Sequence, residues 1–177
     1  MAKQIMIFNN LKNSFVSAAA FLVLAGTAVP VLAAPVKNIV LVHGAFVDGS
    51  GWKPVYDILV KDGYNVTVVQ QPLTSLDEDV AATKRILDRQ PGPCILVGHS
   101  YGGAVITEAG TDSHVAALVF IAAHAPEQGE TEAANGKKFP NASKPLLKTP
   151  DGFVFLDPAN FAADVAAGLP RAGPPGN

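Results

Sequence analysis

A serine set between glycines at two-residue spacing, Gly98-His99-Ser100-Tyr101-Gly102, is the stretch best suited to covalent chemistry. It lies between an apolar run, residues 94–97, and a segment of helical character, residues 101–111. A serine on so sharp a strand-to-helix turn is held in a strained backbone conformation. Glycines are needed beside it, because side chains there would collide with the adjoining strand and helix. The strain turns the hydroxyl outward at the carboxyl end of the sheet, where open α/β sheets bind their ligands. The helix N-terminus beneath it favours negative charge developing on a substrate oxygen. Three fixed letters of about 7% usage each coincide by chance once in roughly three thousand windows, and the flanking elements make coincidence rarer. Ser100 is the candidate nucleophile.

His43-Gly44-Ala45-Phe46 follows the first apolar run directly. A main-chain N–H at that place joins the N–H after the nucleophile in binding an oxyanion. Ala45 or Phe46, together with Tyr101, are the candidate donors. His43 and Gly44 themselves read equally well as a loop hydrogen bond and a turn. His99, inside the serine turn, faces into the fold as a packing or supporting residue.

These residues need elements to hold them. Residues 38–42 (NIVLV) are apolar from Ile39 onward, as a central parallel strand covered on both faces should be. Residues 52–62 predict a helix with Pro54 in its first turn and Gly63 as its stop. Residues 65–70 (NVTVVQ) are β-branched and predict a second strand. Ser75 and Glu78 form a capping box that opens a helix with Leu76, Val80, Thr83 and Leu87 on one stripe. Residues 94–97 predict a third strand, 101–111 a helix, and 115–122 a fourth strand. Strands alternating with helices argue for an α/β fold, a mostly parallel sheet flanked by helices with right-handed crossovers. Residues 34–126 hold this core, and 127–167, polar and rich in Pro and Gly, read as a loop or lid region.

Several function classes are excluded early. The 177 residues carry 13 Lys plus Arg against 15 Asp plus Glu, so no basic surplus exists to neutralise phosphates and no nucleic-acid partner is expected. One cysteine, Cys94, rules out an internal disulfide framework and a multi-thiolate zinc site. No Gly-Lys-Ser/Thr follows the glycines at 44–51, and no G-x-G-x-x-G follows the first strand. Neither a nucleoside triphosphate nor a dinucleotide cofactor is expected, and no metal.

The first 33 residues read as a secretory signal peptide. Lys3 and Lys12 precede an uncharged stretch, residues 15–34, that ends in Val31-Leu32-Ala33, a workable cleavage site. The alternative is a membrane anchor formed by residues 15–34, which Gly26 and Pro30 would weaken. Cleavage implies a secreted or periplasmic protein with no remaining membrane attachment.

The chain resembles the α/β-hydrolase superfamily, in particular small single-domain bacterial hydrolases related to plant methylesterases and hydroxynitrile lyases. The resemblance rests on LVHGAFVDGSGW (41–52), ILVGHSYGG (95–103) and LVFIAAHAPEQGE (118–130), and it covers about residues 36–167. It implies that Ser100 is the nucleophile, followed in chain order by an acid and a histidine, and that residues 127–161 cap the site. The implied substrate is a small-molecule carboxylic ester, although relatives of this kind also run a lyase reaction.

One departure stands out. After Ser100 the histidines are His114 and His124, and neither occupies the late position that the pattern requires. His114 precedes the fourth strand, at the end of the sheet away from Ser100. His124 follows that strand and reads as a pocket-lining residue, or as a replacement base if it reaches Ser100. Asp112, Asp151, Asp157 and Asp164 have no motif support, and Glu127 could at best imitate the missing acid. Residues 168–177 are an irregular Pro/Gly tail. These features lead to the expectation of a truncated fold lacking its last strands and helices. The fourth strand would then be an exposed edge prone to self-association. A non-catalytic binding module is the alternative to an esterase.

Overall fold

The computed structural model describes residues 35–127, 130, 137, 146–164 and 168. The signal or anchor segment, most of residues 128–145 and most of the tail lie outside the described residues.

β1 (Asn38–Val42), β2 (Asn65–Val68), β3 (Cys94–His99) and β4 (Val115–Ile121) form one parallel sheet in the order β2-β1-β3-β4. Helices α1 (Lys53–Lys61), α2 (Leu76–Leu87) and α3 (Gly102–Ala109) make the connections. The register pairs Leu41 with Val68 on one side of β1 and with Val97 on the other. Every residue of β1 is buried, because both of its faces are covered. Val40 and Val42 pack with Leu96, Val105, Ile106 and Leu87 on the side of α2 and α3. Ile39 and Leu41 pack with Trp52 and Val97, against Leu59 of α1. The unbroken apolar run is thus the signature of a strand between two helical layers.

Several boundaries differ from expectation. The first helix is preceded by a 3-10 turn, Gly49–Trp52, capped by the Asp48 side chain, so α1 begins one residue later than predicted. β2 stops at Val68, while β3 runs on to His99, which carries extended backbone up to Ser100. The inward stripe of α2 is also rotated. Asp79, Ala82, Thr83 and Leu87 are buried, whereas Leu76 is exposed and Val80 only half-buried. An acid takes the inward place because its carboxylate finds two donors there. The Ser75 hydroxyl accepts from the Glu78 N–H at 3.2 Å as a cap should. The Glu78 carboxylate accepts from the Thr74 hydroxyl.

The region read as loop or lid contains a small antiparallel hairpin, β5 (Leu147–Lys148) with β6 (Val154–Phe155), and one helical turn, Phe161–Asp164. β4 forms the other border of the sheet, and Leu118, Val119, Phe120 and Ile121 are all exposed. Among the described residues no helix is long and apolar enough to cross a membrane.

Leu96 is fully buried, so Leu96→Ala should lower unfolding stability by about 2–5 kcal/mol in a denaturant titration. Cys94 is fully buried as well, and burial, then the charge of Asp112, pushes its thiol pKa up. A thiol reagent at pH 8 should leave Cys94 unmodified in the folded protein and react once denaturant is added.

Candidate active site

The order β2-β1-β3 means that the chain steps to one side of β1 and then to the other. Open α/β sheets bind ligands at such a switch point, beyond the carboxyl ends of the strands. Two loops meet there, residues 43–46 after β1 and the Ser100 turn after β3.

Ser100 has φ 54°, a left-handed conformation unusual for a residue other than glycine. Its neighbours explain how this is imposed. A Cβ on Gly98 would sit 2.5 Å from the Gly102 carbonyl oxygen, and one on Gly102 would sit 2.7 Å from the Val42 carbonyl oxygen. A Cβ on Gly103 would overlap the His124 carbonyl oxygen. Backbone therefore packs directly on backbone where β1, β3 and α3 meet. The Ser100 N–H donates to the Ile121 carbonyl at 3.3 Å, and its carbonyl accepts from Gly103 at 2.9 Å. Both ends of the peptide are held, and the serine itself is exposed.

Gly44 lies across from it, where an added Cβ would meet the Ser100 Cβ at 3.1 Å and His99 Nδ1 at 3.3 Å. His43 is buried, with Nδ1 2.9 Å from the Gly44 carbonyl and Nε2 3.4 Å from the Gln71 N–H. Those partners require the tautomer in which Nδ1–H donates and Nε2 accepts. Its ring braces the loop that carries Ala45 and Phe46. His99 is half-buried and stands edge-on to Trp52, with ring centroids 6.3 Å apart and planes at 88°.

Ala45, Phe46 and Tyr101 line a cavity of about 420 Å³ with Leu73, Asp79 and Phe153. A second cavity, about 610 Å³, lies on the other side of Phe46 and is walled by Val154, Phe155 and Phe161. The hairpin β5–β6 thus forms the outer wall of both. Asp48 borders the second cavity, and hydrogen bonds from Ser50 hold its carboxyl below the usual carboxylate range.

His124 is exposed, and its backbone packs on Gly103; its side chain lines neither cavity. His114 lies at the opposite end of the sheet, where its carbonyl accepts from the Cys94 N–H at 2.8 Å. There Asp112 accepts from the His114 backbone at 2.9 Å and lies 2.9 Å from its ring, which holds the Asp112 carboxyl low. Asp88, Asp112 and His114 bring three potential metal ligands within 4.8 Å of one another, far along the strands from Ser100. Asp151 borders the first cavity from the hairpin turn. The Asp157 carboxylate accepts from the Ala159 N–H in the turn that leads into the helical residues Phe161–Asp164, the last of which is Asp164.

Sequence reasoning missed Asp79. Fully buried, it accepts from the Tyr101 hydroxyl and the Leu73 N–H, both at 2.8 Å. The available signal was an acid one position from an apolar stripe.

Comparison with known proteins adds ancestry to this geometry. A model of the alpha/beta hydrolase family matches residues 39–176. Lipase LipV of Mycobacterium tuberculosis is 31% identical over 142 residues, spanning 74% of this chain and 50% of that protein. A carbendazim hydrolyzing esterase of Nocardioides sp. is 36% identical over 110 residues, 53% of this chain and 45% of that one. The chain spans about half the length of these curated relatives. A pyrethroid hydrolase from Sphingobium faniae superimposes with a TM-score of 0.55 at 25% identity, over 67% of this chain and 54% of that one. Polyneuridine aldehyde esterase gives a TM-score of 0.60 at 19% identity, over 73% and 61% of the respective chains, a likeness of fold.

Two substitutions probe the crowded turn. Gly103→Ala would place its Cβ on the His124 carbonyl oxygen and should lower the thermal midpoint more than Gly44→Ala, whose nearest neighbour, the Ser100 Cβ, is 3.1 Å away. Ser100→Gly releases left-handed strain and should raise stability by about 1 kcal/mol, measured by denaturant unfolding.

Proposed function

We propose that this chain, which belongs to the alpha/beta hydrolase family, attacks carboxylic esters of small molecules through the Ser100 hydroxyl. The observation that carries the reading is the left-handed Ser100 backbone between β3 and α3, exposed at the switch point of the sheet. In this reading Ser100 Oγ bonds to the ester carbonyl carbon while its proton passes to a base. Main-chain N–H groups of Ala45 or Phe46 and of Tyr101 receive the oxyanion. The alkoxide takes up a proton and leaves, and water then releases the acyl group from Ser100. The lipase and esterase names of the curated relatives support this substrate class. His43, Gly44 and His99 hold the two loops in register, and no cofactor is required.

A second reading, a binding module, is favoured by one observation. The ring of His114 lies 2.9 Å from Asp112, at the end of the sheet away from Ser100. An oxyanion site without its base still accelerates reaction in a dissected triad enzyme, by ~10³–10⁴ over water. Reaction with a fluorophosphonate separates the readings. The esterase reading expects one label per chain, lost in Ser100→Ala; a folded chain that takes no label supports the binding module.

Two further parts of the proposal concern the whole chain. Export through residues 1–33 would leave Ala34 as the first residue of the secreted protein, which N-terminal sequencing checks. The exposed, uncharged β4 would pair between copies. Val119→Lys should then shift sedimentation toward the monomer.

A further inference from the structure

We propose that Asp79 is a positioning residue that ties the Ser100 turn to the loop following β2. Its consequence for catalysis rests on the proposed role of Ser100; its role in holding the two loops together does not.

Asp79 is fully buried on α2, and among the described residues it has no cationic partner. A buried carboxylate is costly unless hydrogen bonds satisfy it, so an acid is a poor choice if packing were the only need. Its two oxygens go to different segments. Oδ1 accepts from the Leu73 N–H at 2.8 Å, and Oδ2 accepts from the Tyr101 hydroxyl at 2.8 Å. Leu73 has φ 57°, so it shares with Ser100 (φ 54°) a backbone conformation that its surroundings must impose. One side chain therefore joins both strained positions, Leu73 directly and Ser100 through the residue after it.

The joined segments border one space. Leu73, Thr74, Ser75 and Tyr101 line the same cavity of about 420 Å³ as Ala45 and Phe46. Asp79 sets the separation between the inner wall of that cavity and the turn bearing the nucleophile. It touches no reacting atom and acts through Tyr101, whose main-chain N–H is the proposed oxyanion donor.

The test uses amide hydrogen exchange on the full chain together with fluorophosphonate labelling rates. Asp79→Ala should speed exchange at Leu73 at least about tenfold, and also at Gly103 and Ala104, whose amides bond the Ser100 and Tyr101 carbonyls and not Asp79. Asp79→Asn keeps an acceptor for Leu73 and should restore most of its protection. Thr83→Ala, a buried change on the same helix, should leave these amides slower to exchange than Asp79→Ala does. Tyr101→Phe should shift the Leu73 amide resonance, since the two are joined through the carboxylate. If Asp79→Ala does not fold, Asp79→Asn and Tyr101→Phe decide the matter. Labelling should slow at least about tenfold in both Asp79→Ala and Tyr101→Phe, and the double variant should be no slower than Asp79→Ala alone.

Unchanged exchange at Gly103 and Ala104 in Asp79→Ala, or a Leu73 resonance indifferent to Tyr101→Phe, would overturn the inference. A wild-type chain that takes no label would overturn the Ser100 reading instead, and exchange alone would then judge Asp79.

Discussion

Direct packing of main chain on main chain, where β1, β3 and α3 converge, is the constraint on which the molecule depends. Side chains normally keep a strand and the next helix apart. Here Gly98, Gly102 and Gly103 remove them, and carbonyl oxygens of Val42, Gly102 and His124 occupy the space. The chain reverses from strand to helix within one residue, and that residue takes up the strain. Everything nearby serves this crossing. β1 is buried on both faces so that its carboxyl end is rigid, and His43 fastens the loop leaving it by ring hydrogen bonds on both nitrogens.

The polar interior follows the same logic. Buried polar groups are tolerated where each finds a partner, and such networks fix one arrangement among several that apolar packing alone would allow. His43 links β1 to the segment after β2 through Gln71. Asp79 links α2 to that segment and to the turn after β3. Apolar contacts on either side of the sheet supply cohesion, while these two side chains supply registration between loops. The outer side of the site is built differently. A short hairpin stands over Ala45 and Phe46 with exposed apolar residues, Phe153 and Phe155 among them.

Most of the core could be read from residue order. The apolar run at 39–42, the β-branched residues at 66–68 and the capping Ser75 each have a local cause, and each forms the element expected. The hairpin at 147–155 was hidden because two-residue strands leave too few alternations to register as a pattern. The inward side of α2 was misjudged for a related reason. Hydrophobic periodicity ranks an acid as solvent-facing, and it has no knowledge of donors arriving from residues six and twenty-two positions away. His124 drew attention by type and position, yet it contributes its backbone, not its ring, to the floor of the turn.

Residue order alone therefore determined the α/β class, the strand-turn-helix around Ser100 and the need for glycine beside it. Each is a matter of local sterics or of periodicity within one segment. Only the assembled sheet decided which strands flank β1, which loops face each other, and which buried side chains join them. Those relations hold between residues far apart in the chain, brought together by shared burial and by the need of the interior Asp79 carboxylate and His43 ring for hydrogen-bond partners.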